Sequence, residues 1–330
     1  MSVPQDYLAT PPPRRFRFPL RTVLIVIGVF LVVVLAALGA YAYGLSASFD
    51  SAKRFEKSFP AEADRPAATD DASQNILLIG SDAGGPGSDP GEVEGTRSDT
   101  MMVIHVSGDR ESVHVMSLMK DSWVEIPGHG QDRLNTALVL GGVPLAVQTV
   151  EGVLDARIDR VASVDFEGFA GITDALGGVQ VNNEVPFRSF DKGPITLNGK
   201  QALEYVRETD SFTDGDIQRL RNQQAFVKGL MAKFLSAETL TNPGKITELM
   251  SAATPYLEVD SGFSSGYAVG LGFELRNLRM DDVTFFTLPV IGPADHGGEV
   301  AIDVDWNQVA VVRDHFREDT LDEYRPVAQP

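Results

Sequence analysis

The stretch NILLIGSDAGGPGSDPGEVEGTRSDTMMVIHV, residues 75–106, decides the fold class. Its ends, NILLIG (75–80) and TMMVIHV (100–106), are short apolar runs of the kind found in buried strands. The segment between them is rich in glycine and proline, which predicts a loop. A further strand, SVHVMSLM (112–119), follows directly. The chain therefore begins its main domain with strands that can lie side by side in one sheet.

Helical and strand-like patterns alternate from there to the end of the chain. We expect one helix over 134–154, with a break at Gly141–Gly142, and another from about 167 to a glycine stop at 177–178. Further helices are expected over 199–206, 216–235, 243–275 and 305–319. Further strands are expected over 161–166, 179–183 and 283–290. Asn198 followed by Gln201 has the spacing of a helix-capping box. Interleaved strands and helices predict an α/β fold with helices on both faces of a mixed sheet.

The composition excludes several classes of function. Of 330 residues, 43% are hydrophobic and 22% are charged, so the chain can build a packed core. Cysteine is absent, which excludes disulfides, iron–sulfur clusters, cysteine zinc sites and a thiol nucleophile. Asp and Glu outnumber Lys and Arg by 46 to 28, for a net charge of −18. Nucleic-acid binding is not expected, because it usually requires a basic surface.

An apolar segment near the N-terminus predicts a membrane anchor. Residues 22–49 contain no charged side chain, and 22–45 are nearly all apolar, against the roughly 20 residues that a spanning helix needs. A cleaved signal peptide and a buried core helix are the alternatives. The first 21 residues carry four arginines and one aspartate, and basic flanks remain in the cytoplasm. We expect a cytoplasmic tail over 1–21, with the rest of the chain, of net charge −21, outside the cell membrane.

The exported part divides into three predicted segments. A polar stalk covers 46–72, an extracytoplasmic domain covers 73–322, and a C-terminal tail covers 323–330.

Two aspartates follow or begin the first two strands of this domain. Asp82 comes after the first strand, and Asp99 stands at the start of the second. If the strands are neighbours, both carboxylates reach one edge of the sheet, where open α/β sheets usually bind ligands. Two carboxylates without His or Cys suit Mg²⁺. The alternative is that both are turn and cap residues.

A basic cluster lies further along the chain. Arg207 ends one helix, and Arg219, Arg221 and Gln223 lie in the first turns of the next. A helix N-terminus with arginines is a good anion site. The alternative is a set of ion pairs with Glu208 and Asp216. Together, the carboxylates and the arginines favour a metal-assisted site outside the membrane for a lipid-linked pyrophosphate.

The order of motifs resembles the LytR-CpsA-Psr family of cell-wall glycopolymer ligases. The matching segments are ILLIGSD (76–82), TRSDTMMV (96–103), MSLMKDSWVEIPG (116–128), RLNTAL (133–138), VDFEGFAGITDALGGVQV (164–181), LNGKQALEYVR (197–207) and GDIQRLRNQQ (215–224). The resemblance implies a three-layer α/β/α sandwich with an apolar pocket for a polyprenyl chain. It also implies an enzyme that moves a glycopolymer or sugar-phosphate from a polyprenyl-pyrophosphate carrier onto peptidoglycan.

The resemblance assigns roles to particular residues. Asp82 and Asp99 match metal-associated aspartates of the family. Arginines 97, 207 and 219 and Gln223 match side chains that hold the pyrophosphate, and Arg221 is carried as an extra neighbour. A carboxylate, Asp99 or Asp121, helps to deprotonate the acceptor hydroxyl in this scheme.

Three positions depart from the family pattern. Lys120 stands where Ser-Ile-Pro-Arg-Asp has its arginine, Thr209 replaces the second arginine of Val-Arg-x-Arg, and Asn222 replaces the second arginine of Arg-x-x-Arg-Gln. Losing a charge-assisted phosphate contact costs about 1.5–3 kcal/mol. The resemblance and the apolar N-terminal segment together predict an Mg²⁺-dependent, membrane-anchored phosphotransferase. The alternative is a non-catalytic relative that binds polyprenyl phosphates and acts in regulation or scaffolding of wall assembly.

Overall fold

A computed structural model of the protein describes residues 50–68, 72–81, 98–212, 215–234, 236 and 242–326. Its strands are β1 (Lys53–Arg54), β2 (Gln74–Ser81), β3 (Ser98–Val106), β4 (Val113–Leu118), β5 (Ser122–Ile126), β6 (Gly130–Arg133), β7 (Arg160–Asp165), β8 (Val179–Asn183), β9 (Gly193–Leu197), β10 (Leu257–Val259), β11 (Val283–Thr287), β12 (Val290–Asp295) and β13 (Val300–Val304). Its helices are α1 (Thr136–Leu154), α2 (Phe166–Ala175), α3 (Gly199–Arg207), α4 (Gly215–Phe234), α5 (Pro243–Ala253), α6 (Ser265–Glu274) and α7 (Trp306–Glu318). The predicted cytoplasmic tail and membrane span, 1–21 and 22–45, lie outside the described residues.

A seven-stranded sheet forms the centre of the domain, in the order β1-β10-β7-β2-β3-β4-β11. Strand β2 runs antiparallel to β3 and parallel to β7, and β4 runs parallel to β11. The sheet is therefore mixed, and the predicted α/β fold class is confirmed. A four-stranded sheet (β12-β13-β5-β6) and a two-stranded one (β8-β9) adjoin it.

The two faces of the central sheet carry different helices, because successive strand residues point to opposite sides. Leu77 and Met101 belong to one core with α1 and α7. Met102 and Val115 belong to a second, against which Val227 of α4 and residues of α6 pack. The domain thus has the three layers that the resemblance implies.

Local sequence features set the helix ends as predicted. Helix α1 is kinked at Gly141 and Gly142, and Gly142 has a φ of 63° that a side chain rarely adopts. At the start of α3, the side chain of Asn198 accepts a hydrogen bond from the Gln201 amide, and the Gln201 side chain accepts one from the Asn198 amide. This reciprocal capping box fixes where α3 begins, and Arg207 is the last residue of that helix.

The expected single helical region over 243–275 is wrong. It contains α5 and α6, separated by strand β10. Strand β10 pairs antiparallel with β7, Glu258 opposite Ser163. Its three residues are too few for a strand pattern to emerge from the surrounding helical sequence.

The domain extends beyond its predicted limits at both ends. Strand β1, inside the predicted stalk, pairs with β10, and the Arg65 guanidinium forms an ion pair of 2.7 Å with the buried carboxylate of Glu151. At the other end, Tyr324 of the predicted tail is buried against Phe286, with ring centroids 5.2 Å apart.

Among the described residues, the helix α1 has the length and apolar character of a membrane span. Its Ala146, Val147 and Val150 are fully buried in the core shared with α7. Its apolar sequence is thus explained by the packing of the domain.

Candidate active site

The end of β2 and the start of β3 meet at one edge of the central sheet. Their register pairs Gly80 with Thr100, so these two strands are neighbours. Asp99 lies in β3, but its side chain is outside the described residues, and so are Asp82 and Arg97. Their roles as metal, phosphate or acid–base groups remain predictions.

An apolar cavity lies directly beneath this edge, between the sheet and two helices. Its lining comprises Leu78, Gly80, Thr100, Met102, Val206, Gln223, Phe226 and Val227. Its volume is about 20 Å³, which holds about one water molecule. The cavity has the apolar walls expected for a lipid chain, but the two layers are closed on each other here.

Gln223 is the polar side chain that the helix α4 places at this cavity. It is buried, and its Nε2 donates a hydrogen bond of 3.3 Å to the carbonyl of Val206. This bond joins the end of α3 to the first half of α4. Arg207 follows Val206 directly, and Arg219 lies one helical turn before Gln223 on the same face. The main chain at Arg207 therefore lies next to Gln223, and Arg219 stands on the Gln223 face of α4.

Arg221 does not share that face. It is exposed and lines a different cavity, on the opposite side of α4, because two residues along a helix turn a side chain by about 200°. Its predicted place as a neighbour of Arg219 at the same phosphate is not supported by this geometry.

Asn222, at the position of a family arginine, is held inside the protein. Only 1% of its surface is exposed. Its Nδ2 donates a hydrogen bond of 3.3 Å to the carbonyl of Tyr205, and its Oδ1 accepts one of 3.0 Å from Gln218. The amide thus stabilises the contact between α3 and α4.

Glu208 has a partner outside the basic cluster. Its buried carboxylate lies 2.6 Å from the guanidinium of Arg188 and accepts a hydrogen bond from the amide of Ser211. The alternative in which Glu208 neutralises Arg207 or Arg219 is therefore weakened. Asp216, the other proposed partner, has no described side chain.

Lys120 and Asp121 occupy the short connection between β4 and β5. The Lys120 Nζ lies 3.9 Å from the Asp121 carboxylate, and both side chains are about a fifth exposed, at 23% and 22%. The main chain holds this connection firmly, since the amide of Asn135 donates to the Lys120 carbonyl and that of Ile302 to the Asp121 carbonyl. A cation and a carboxylate thus stand side by side at a fixed point.

Gln224 is the last residue of the motif GDIQRLRNQQ and has no predicted role in the site. Its Nε2 donates to the hydroxyls of Ser117, at 3.0 Å, and Thr287, at 2.9 Å. The bond fixes α4 against the strands that lead to Lys120. The sequence signal for this contact is the adjacent pair Gln223–Gln224, because consecutive helix residues point in different directions and so contact different neighbours.

The predicted Mg²⁺ ligands, Asp82 and the side chain of Asp99, lie outside the described residues. Within the described part of the chain, no group of three or more His, Asp or Glu side chains could hold a metal ion. The described part of this edge is the pairing of Gly80 with Thr100, and the metal site at Asp82 and Asp99 stays a prediction. Oxygen donors of this kind fit Mg²⁺ completed by water and phosphate.

The histidines are not part of this site. His105 is buried, with one ring nitrogen 2.8 Å from Asn75 and the other 2.8 Å from Asp319. His114 bonds Thr284 in the same region, and burial lowers its pKa to about 4. Both lie in strands of the sheet and explain stability rather than catalysis.

A comparison with protein families decides the assignment. The chain matches the LytR_cpsA_psr family over residues 38–316. The chain belongs to this family. The family resemblance read from the motifs is thus confirmed.

Two curated proteins are similar to this chain in sequence over most of its length. The polyisoprenyl-teichoic acid–peptidoglycan teichoic acid transferase TagU of Enterococcus faecalis is 31% identical, over 76% of this chain and 82% of its own. The cell wall biosynthesis protein LcpA of Corynebacterium glutamicum is 30% identical over 78% of this chain. This chain covers 58% of LcpA, so it spans a little over half of that relative's length. The prediction of an enzyme of the transferase class is confirmed by the TagU relatives.

Solved structures agree in fold. TagV of B. subtilis aligns with a TM-score of 0.64 at 23% identity, over 78% of this chain and 100% of that one. TagT bound to LI-WTA aligns with a TM-score of 0.61 at 23% identity, over 81% and 98%. These likenesses establish the LytR_cpsA_psr fold for the chain.

Proposed function

We propose that this member of the LytR_cpsA_psr family is a membrane-anchored phosphotransferase. It moves a glycopolymer or sugar-phosphate from a polyprenyl-pyrophosphate carrier onto peptidoglycan, assisted by Mg²⁺. The observation that carries the proposal is the junction at Gln223, where an apolar cavity meets the arginine-bearing ends of α3 and α4. The names of the TagU relatives support the substrate classes.

The lipid chain enters the layer between the sheet and α4. Phe226 and Val227 close this layer against Leu78 and Met102. Several apolar side chains around it, including Met231, are only partly buried, so the layer is less tightly sealed than the core with α1. Separation of α4 from the strands gives a prenyl chain apolar walls and leaves its pyrophosphate at Gln223.

The pyrophosphate is held by groups at the junction. The guanidinium groups of Arg207 and Arg219 match phosphate oxygens with paired donors, and Arg97 completes the set by motif position. Asp82 and Asp99 would hold Mg²⁺, which when bound supplies positive charge that offsets the charge of the pyrophosphate.

The transfer step needs a base for the acceptor hydroxyl. The acceptor oxygen forms a bond to phosphorus, its proton passes to a carboxylate, and the bond to polyprenyl monophosphate breaks. Asp121 or Asp99 is the carboxylate. Asp121 has a fixed main chain and stands beside Lys120, which as a point charge contacts phosphate without the paired donors of arginine.

The second candidate is a non-catalytic member that binds polyprenyl phosphates and serves regulation or scaffolding. It is favoured by one observation. The amide of Asn222 is buried and engaged with Tyr205 and Gln218, so the position of a family arginine contributes no charge to the pyrophosphate. With Thr209 also uncharged, two family arginines are missing from the junction.

Anchoring completes the proposal. Residues 22–45 hold the protein in the cell membrane with the tail 1–21 in the cytoplasm and the domain outside, beside lipid-linked substrates. Protease treatment of intact cells tests this orientation, because removal of the domain with the tail protected is the expected result.

The decisive experiment uses the full chain in detergent with a synthetic polyprenyl-pyrophosphate sugar, Mg²⁺ and a peptidoglycan acceptor. Release of polyprenyl monophosphate that needs the metal and is lost in Arg219→Ala supports transfer. Tight lipid binding without release supports the non-catalytic candidate, and Thr209→Arg is then the variant that tests whether a missing charge is the cause.

A further inference from the structure

A second cavity lies on the side of α4 that faces away from Gln223. Its volume is about 610 Å³, within the range of about 300–1,000 Å³ that is usual for small-molecule sites. One wall is α4, another is strand β8 with the residue after it, and Phe285 of β11 contributes a third. Of the predicted pyrophosphate-binding residues that the structure describes, Arg221 is the one that lines this cavity.

The cavity follows the length of the helix. Its wall runs from Gln218, in the first turn of α4, to Ala232, in the last. Fourteen residues at 1.5 Å each make a groove about 21 Å long. An elongated chain therefore fits it better than a compact molecule.

The wall chemistry selects the kind of chain. The wall combines apolar side chains, among them Val181, Tyr205 and Phe285, with the exposed amides of Gln180 and Asn182 and the charged groups of Arg221, Lys228 and Glu184. Amides offer donors and acceptors together, as a chain of hydroxyl groups requires. A prenyl chain would desolvate the amides of Gln180 and Asn182 and the charged groups, whereas a sugar chain can bond to them and also pack its ring faces on the apolar part of the wall. Two cations beside one acid give little selectivity for a strongly anionic polymer.

The groove is a built feature of the fold. Gln218 and Asn222 are 3% and 1% exposed and are held to each other by a hydrogen bond of 3.0 Å. At Gly229, an added Cβ would lie 2.2 Å from the carbonyl oxygen of Gln180, so the helix and β8 are in direct contact at the floor. The wall groups are thus fixed before any ligand arrives.

We infer that this groove, lined by Gln180, Asn182 and Gln218, is a binding site for a carbohydrate chain. The choice of carbohydrate rests on the proposed function, which places glycans on both substrates. Gln218 precedes Arg219, so the groove begins at the end of α4 that holds the pyrophosphate. A glycan attached to that pyrophosphate, or the acceptor strand that approaches it, can lie along the helix.

Titration calorimetry on the full chain in detergent, without lipid substrate, tests the site directly. One arm uses a soluble tetrasaccharide from peptidoglycan, and the other a neutral galactan tetrasaccharide in place of a donor polymer. We expect binding in at least one arm, and the arm that binds more tightly identifies the source. Ala225→Phe, which fills the groove, and Asn182→Ala, which removes an exposed amide, each weaken binding at least tenfold.

Ala310→Phe is the matched control, because it adds the same side chain at an exposed position of α7. It leaves binding unchanged. The inference is overturned if neither oligosaccharide gives a heat of binding. It is also overturned if Ala310→Phe weakens binding as much as the groove variants do, or if farnesyl phosphate displaces the oligosaccharide. Oligosaccharide binding without release of polyprenyl phosphate supports the groove and contradicts the transferase, whereas release without oligosaccharide binding does the reverse.

Discussion

Phe226 gives a direct test of the closed lipid layer. Its side chain is 1% exposed and lines the cavity together with Leu78 and Met102. Replacing it with alanine removes the ring from a site that already contains about 20 Å³ of empty space. Truncation of a buried phenylalanine costs about 3–5 kcal/mol, and we expect Phe226→Ala to lower the free energy of unfolding by this amount in the absence of lipid.

A prenyl ligand should restore part of that loss. In the wild type the layer must open before a chain enters, whereas in Phe226→Ala the space already exists. A ligand at 100 times its Kd stabilises the folded state by about 2.7 kcal/mol. Farnesyl phosphate at one fixed concentration should therefore stabilise Phe226→Ala more than the wild type. Urea unfolding of the full chain in detergent, with and without farnesyl phosphate, measures both quantities. Phe226→Leu is the milder variant if the alanine variant does not fold.

Phe316 provides the matched control. It is 2% exposed but belongs to the core with α1 on the other face of the sheet. Phe316→Ala should be destabilised to a similar extent and gain no more from farnesyl phosphate than the wild type does. Equal rescue of the two variants, or rescue of neither while the wild type binds the lipid, would refute the assignment of the layer beneath Gly80 to the lipid.

Three further predictions follow from charges in the structure. Arg219→Ala should weaken binding of a polyprenyl pyrophosphate about tenfold to a hundredfold. Arg221→Ala should weaken it less than about threefold, because Arg221 faces the other side of α4. Equilibrium binding of a fluorescent analogue measures both effects. Arg65→Ala should lower the free energy of unfolding by about 3–5 kcal/mol, because it leaves the buried carboxylate of Glu151 without its cation; urea unfolding measures this. His114 has a pKa of about 4 when folded, below its ordinary value, so its stabilising contribution is complete above pH 6.5 and is lost as the pH falls toward 4. On unfolding in that pH window, the His114→Gln variant should therefore bind fewer protons than the wild type, by at most about one. Unfolding curves at several pH values test this, and the same pH dependence of the free energy of unfolding in both proteins would contradict it.

The sequence was sufficient for the parts of the fold that depend on local patterns. The apolar runs before Gly80 and after Thr100 predicted two strands, and glycine and capping residues predicted the kink in α1 and the start of α3. These features follow from backbone geometry and side-chain periodicity within a few residues.

The parts that failed depend on distant partners. Strand β10 has three residues and exists because β7 lies beside it. The segment 50–68 has a polar composition typical of a linker, yet it packs on the domain through Arg65 and strand β1. Neither partner is visible in the local sequence.

The site shows the same division between local and distant information. Motif order placed Arg207, Arg219 and Gln223 together, because the end of one helix and the start of the next are close in sequence. It also placed Arg221 with them, although the helical turn directs that side chain to the opposite face. A protein that shifts an arginine by one residue along α4 and buries an amide at position 222 has moved positive charge from the pyrophosphate junction to the polar groove. If the junction binds the pyrophosphate and the groove a glycan, as we propose, the departures from the family pattern lower the positive charge at the phosphate and add one cation beside the glycan. On that proposal, we expect substrate discrimination by this protein to depend more on the carbohydrate than it does in relatives with the full set of arginines.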